Sequence, residues 1–196
     1  MEPNLKERIF GLDVLRATAI IMVVSSHVLW IYPKSNAFIP TLFELFGFWG
    51  VELFFVLSGF LIGSILYKTF VNENFTLNSV FHFLKRRWFR TLPNYYLVLI
   101  LNILIAFFLG FSIENAGSYF LFLQNFASKS PAFFPESWSL SIEEFTYLLL
   151  PFSLFFVGLS KIKNKSKLFL FVIVALIFVF WMNKFYYHSQ HKISNL

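Results

Sequence analysis

The sequence predicts an all-α fold: a polytopic integral membrane helix bundle with about five transmembrane helices and a cytoplasmic N-terminus. Composition is the first reason. Of 196 residues, 58% are apolar and 13% charged, 30 are Phe, and mean hydropathy is +0.69. Soluble domains run near about 45–50% apolar and about 25% charged. The second reason is a series of charge-poor runs, each close to the about 20 residues that cross a bilayer. The third is the alternation of Lys and Arg between successive loops. Together they exclude a disordered chain, an ordinary soluble enzyme and a nucleic-acid arm. There is no Cys, so disulfides, a thiol nucleophile and a thiolate metal site are excluded as well.

The runs follow in order. The first covers residues 12–31, the second 48–67 and the third 92–113, which holds no Lys or Arg. The fourth covers 138–159 and the fifth 168–182. The apolar stretch 117–126 is too short to span and reads as a half-helix, an interfacial segment or a packed loop. The tail carries Lys6 and Arg8. Lys68, Lys85, Arg86, Arg87 and Arg90 lie between the second and third runs, and Lys161, Lys163, Lys165 and Lys167 between the fourth and fifth. The alternate loops hold Lys34 and Lys129. The positive-inside rule then puts the N-terminus in the cytoplasm. Asp13 and Arg16 interrupt the first run, and Pro33 and Lys34 follow it without a small-residue cleavage site. It reads as an uncleaved span, not a signal peptide.

Ionisable groups within apolar spans are costly and mark functional candidates. Here they are Asp13, Arg16, His27, Glu52, Glu143 and Glu144. At about 100° and about 1.5 Å per residue, Arg16 and His27 point within about 20° of each other, about 16 Å apart in depth. Asp13 lies within about 60° of both. Antiparallel threading would place His27, Glu52, Glu143 and Glu144 at similar depth, in the outer third of the bilayer. A His beside a carboxylate is a general-base arrangement. Asp13, Arg16 and the Arg86, Arg87 and Arg90 cluster are expected at the cytoplasmic end. Plainer readings stand beside these. Asp13 and Arg16 can pair to seat a helix end, His27 can be a bonded interior His, and the arginines can be a positive-inside anchor. Glu144 is expected to face a loop, since only one of two adjacent helical residues points at a given partner. His188 and His191 have a metal-like spacing in a polar tail, and Asn74-Phe-Thr76 is a sequon on the cytoplasmic side. Neither is taken as functional, and no metal site is expected.

Four blocks, in order, resemble the membrane-bound acyltransferase 3 family, which includes O-antigen and exopolysaccharide O-acetylases. Leu12-Asp13-Val14-Leu15-Arg16 followed by His27 is similar to LDxLR…H. Residues 50–62, GVELFFVLSGFLI, are similar to GVdlFFvlSGfLi and contain Glu52 and Ser58. Residues 86–93, RRWFRTLP, are similar to RRxxRixP. Residues 138–147, WSLSIEEFTY, are similar to WSLxvEeqFY. The motif region is thus 12–151 within one domain, 1–196.

The resemblance implies an enzyme of the bacterial inner (cell) membrane. It implies that an acyl group, usually acetyl, moves from cytoplasmic acyl-CoA to a hydroxyl of an exported carbohydrate or lipid-linked saccharide, such as O-antigen or lipopolysaccharide. Acyl-CoA is then a donor substrate, with no bound cofactor; lipid is the other partner, and nucleic acid is not one. His27 would be catalytic, with Glu143, Asp13 and Arg16 supporting. Arg86, Arg87 and Arg90 would take the CoA phosphates, for which guanidinium forks are suited. Glu52, Ser58, Trp138, Ser139 and Glu144 would face the substrate. The chain departs from the pattern at Glu52 for Asp, Thr91 for Ile, and Phe145-Thr146 for Gln-Phe. Members resemble proteins of about ten spans, at about 20 residues per span. The chain therefore looks like the N-terminal half, acting with a missing C-terminal half or as a homodimer. An inactive truncated fragment and a transporter or proton-relay subunit are the alternatives.

Overall fold

The computed structural model describes residues 9–28, 38–72, 74–113, 115–127, 133–160 and 162–193, with side chains as far as Asn183. Lys6, Arg8, Lys34, Lys129 and Lys161, and the side chains of His188 and His191, lie outside the described residues. The elements are α1 (Phe10–His27), α2 (Phe38–Asn72), α3 (Leu77–Leu109), α4 (Ala116–Phe120), α5 (Gln124–Ala127), α6 (Ser137–Gly158) and α7 (Lys165–Ile193). Five helices are long and apolar enough to cross a membrane, as the sequence predicts. The described residues include no strand.

The spans differ most in length. α2 has 35 residues and α3 has 33, about 50 Å each against a hydrocarbon core of about 30 Å. Hydropathy marks only the lipid-like part of a helix, while backbone hydrogen bonding carries the helix on through polar residues. The basic linker expected before the third run is therefore helical: Arg86, Arg87 and Arg90 stand on α3. At its other end α3 stops before the predicted 113. Gly110 adopts φ 74°, and the Phe111 N–H bonds the Ala106 carbonyl at 2.9 Å. Only glycine takes that left-handed cap without a Cβ penalty.

The chain forms two compact units, Met1–Ile65 and Leu66–Leu196, which divide within α2. In the first, α1 lies antiparallel on the early part of α2. A Cβ at Gly47 would sit 2.5 Å from Ser26 Oγ, and one at Gly50 would sit 2.8 Å from Val23 Cγ2 and 2.9 Å from the Ala19 carbonyl oxygen. Small residues at a helix crossing let backbones approach this closely. Ala19 is fully buried as a result. The hydroxyls of α1 are absorbed by its own backbone: Thr18 on Val14 O, Ser25 on Ile21 O and Ser26 on Val23 O. That keeps polar side chains tolerable in an apolar helix.

In the second unit, α6 runs antiparallel to α3. Phe81 meets Phe152, and Phe83 meets Tyr147 edge-on at 6.5 Å. At the far end Phe70 contacts Phe75 and Phe169, and Gly158 leaves room for its ring. Residues 116–127 form two short helices, α4 and α5, joined by a turn and packed against α3 and α6, nearest to the packed loop among the three alternatives for 117–126. The carbonyls at the end of α4 and in the turn after it lack their full helical partners, which lipid cannot supply. Side chains of the long helices supply them instead. Tyr95 Oη donates to Tyr119 O at 2.8 Å, Tyr96 Oη to Phe120 O at 3.0 Å, and Ser141 Oγ to Phe122 O. In return Gln124 donates to Ser137, and Asn125 Nδ2 to Trp138 O at 2.8 Å. Tyr95, Leu99, Tyr119 and Phe122 form the apolar cluster beneath this stitching.

Candidate functional site

The candidate residues occupy both units. In the first, α1 positions Asp13, Arg16 and His27. Arg16 Nη1 pairs with Asp13 Oδ1 at 3.0 Å, so the plainer reading of these two as a local pair is realised. Arg16 follows the stripe that α1 lays on α2, within about 20° of Val23. His27 is the last residue of α1 and is exposed. Its Nδ1 lies 2.8 Å from the Val23 carbonyl oxygen. A carbonyl only accepts, so Nδ1 carries the proton and the basic lone pair of the neutral ring is on Nε2. Ser26 Oγ, 3.3 Å from Nδ1, donates its own proton to Val23 O and fits the same tautomer.

Glu52 and Ser58 stand on α2, Glu52 exposed and Ser58 half-buried. The helix crossing sets Gly47 beside Ser26, and Glu52 is five residues further along α2. Glu52 is therefore displaced from the level of Ser26 by about 8 Å along the axis, more than one helical turn. The expected coincidence in depth with His27 is correspondingly looser.

The second unit revises the depth map further. The arginine block and the α6 carboxylates were expected toward opposite faces; they are side by side. Trp88 Nε1 donates to Glu144 Oε2 at 2.9 Å, and Thr91 Oγ1 lies 3.1 Å from Glu144 Oε1. Because α3 begins at Leu77, its arginine turn runs alongside α6 rather than ahead of it. Glu144 is 3% exposed and faces α3, not a loop. Glu143, half-buried, accepts from Tyr147 Oη at 3.1 Å.

Arg87 is half-buried, its guanidinium carbon 5.8 Å from the Phe83 ring centre and 6.0 Å from that of Tyr147. These are cation–π distances. Arg86 and Arg90 are exposed. Glu143 bears electrostatically on Arg87 as well. Trp138 is exposed, and Ser139 Oγ turns back to Glu136 O at 3.4 Å. Trp88, Thr91 and Tyr147 were not singled out by the sequence as site residues. Their one signal was Thr91, which stands where the resembled pattern has Ile.

Five helices able to span a membrane define a polytopic membrane protein; one unit carries a His whose Nδ1 is bonded to a backbone carbonyl, and the other a turn of three arginines beside a buried glutamate. The family model described as an acyltransferase domain (acyltransferase 3) matches residues 9–196. The chain belongs to the acyltransferase 3 family, a family of bacterial multi-pass membrane proteins. It is similar to the peptidoglycan O-acetyltransferase OatA of Listeria monocytogenes, with 30% identity over 196 residues, covering 90% of this chain and 29% of that protein. It is similar also to the O-acetyltransferase OatA of Staphylococcus aureus, with 29% identity over 188 residues, covering 85% of this chain and 28% of that protein. The chain thus spans less than a third of the length of these relatives. No solved structure matches it.

Proposed function

We propose that the chain serves membrane O-acetylation, moving an acetyl group from cytoplasmic acyl-CoA to a hydroxyl of a cell-envelope carbohydrate. The relatives' names point to peptidoglycan as the acceptor, in place of the O-antigen or lipopolysaccharide suggested by the wider resemblance. The observation that carries the reading is the His27 tautomer. With Nδ1–H held by Val23 O at 2.8 Å, Nε2 is the base. It takes the proton of the acceptor hydroxyl as that oxygen attacks the thioester carbonyl, and the imidazolium returns the proton to the departing CoA sulfur. Alternatively Nε2 attacks the thioester itself, releasing CoA, and the acyl-imidazole passes its acetyl to the hydroxyl. Arg87 and Arg90 take the donor's phosphates, a role for which guanidinium forks are suited. Family membership favours acyl transfer over a proton-relay subunit.

The test uses membranes bearing the chain, radiolabelled acetyl-CoA and peptidoglycan acceptor. Label transfer and CoA release are expected for the parent and for Lys163→Ala, an exposed loop change. Both are lost in His27→Ala. Full activity in His27→Ala overturns the mechanism. Label trapped on the protein before acceptor is added, and absent from His27→Ala, selects the acyl-imidazole route.

A further inference from the structure

A carboxylate buried among helices is costly unless it does something a hydrocarbon side chain could not. Glu144 is 3% exposed, lies on the face of α6 that meets the arginine turn, and is ion-paired with no described arginine. Its oxygens take Trp88 Nε1–H at 2.9 Å and the Thr91 hydroxyl at 3.1 Å. Trp88 follows Arg87 and Thr91 follows Arg90. We propose that Glu144 is a positioning residue for donor binding, which locks the rotation of the α3 turn carrying Arg87 and Arg90 by holding Trp88 and Thr91. The proposal rests on the reading that these arginines take the donor's phosphates.

Three features support it. Trp88 and Thr91 stand about 60° apart on the helix, so two bonds converging on one carboxylate fix rotation where a single bond would leave a pivot. Each arginine precedes its pinned neighbour by one residue, about 100° around the axis, so holding the neighbours toward α6 turns the guanidiniums aside from Glu144. The turn also lacks part of its own backbone restraint. Pro93 lies inside α3 and has no N–H for the Phe89 carbonyl. The Arg87 carbonyl oxygen, 3.2 Å from Thr91 Oγ1, competes with Glu144 for the single hydroxyl proton, so that stretch and the clamp share one donor.

The experiment measures saturable binding of radiolabelled acetyl-CoA to the full chain in lipid nanodiscs. Loosening the turn forfeits charge-assisted arginine–phosphate bonding, so Glu144→Ala is expected to weaken binding by about ten- to a hundredfold. Glu144→Gln is expected to rescue most of that loss. Its carbonyl still accepts from Trp88, and its amide donates to Thr91 Oγ1, whose proton then goes to Arg87 O. On an Arg87→Ala background, Glu144→Ala should add much less than it does alone. Trp88→Phe removes one bond while keeping an aromatic ring and should weaken binding several-fold, which keeps the test open if Glu144→Ala fails to fold. Parent-like binding by folded Glu144→Ala or Trp88→Phe, when Arg87→Ala binds weakly, overturns the positioning role alone. Glu144→Gln as weak as Glu144→Ala also overturns it, since the charge itself would then act. No saturable binding by the parent, or parent-like binding by Arg87→Ala, overturns the donor reading and this proposal with it.

Discussion

The closest helix crossing in the first unit makes the sharpest prediction. A Cβ added at Gly50 would lie 2.8 Å from Val23 Cγ2, 2.9 Å from the Ala19 carbonyl oxygen and 3.1 Å from Met22 Cβ. Carbon contacts settle near about 3.5–4.0 Å, so Gly50→Ala must push α1 away from α2 by most of an ångström. The Ala19 oxygen is backbone, and it cannot yield without moving the helix. Overpacking of this kind costs about 1–3 kcal/mol. Gly59 and Gly63, on the same helix, have nothing within 4 Å of an added Cβ. There the same substitution gains only helix propensity, about 0.5–1 kcal/mol. The two kinds of site therefore differ in sign, with a contrast of about 1.5–4 kcal/mol. Reversible unfolding in mixed micelles, followed by helical circular dichroism, reads it. A Gly50→Ala variant as stable as Gly59→Ala would refute the crossing and the register drawn from it.

Other consequences are smaller but separable. Tyr95→Phe removes the bond to the Tyr119 carbonyl, which keeps the Phe122 N–H at 3.5 Å; it should cost about 0.5–1.5 kcal/mol, the net worth of one hydrogen bond. Amide exchange should then rise in residues 116–123 before the rest of α3. Asn115 holds φ 55°, so Asn115→Val should destabilise by about 1–2 kcal/mol, whereas Asn115→Gly should not. Equal stability of the two in the same unfolding assay would remove the argument.

The reach of sequence reasoning varies by residue. α6 was legible almost to its ends, since 138–159 became Ser137–Gly158; its apolar run and its helix coincide. α3 was misjudged because its helix continues through Arg90, Thr91 and Pro93, and hydropathy has no term for backbone bonding that persists in polar sequence. Without those early turns of α3, nothing in the sequence set the arginine turn against Glu144. The Asp13–Arg16 pair was readable because it is local, three residues apart on one helix. The Trp88–Glu144 bond joins residues 56 apart, and no spacing rule connects them.

What the sequence determined by itself was the class of solvent, the number of spans and the family. These rest on one-dimensional quantities: the length of apolar runs, the residue types within them and four ordered blocks. What only the tertiary structure decided was pairing. The backbone carbonyl of Val23 chooses the His27 tautomer, and a Tyr95 hydroxyl chooses how residues 116–127 pack. The register of α3 on α6 chooses which of two adjacent glutamates is buried. The last two depend on which polar group finds a partner between helices, and that is settled by distances across the bundle rather than by the order of residues along it.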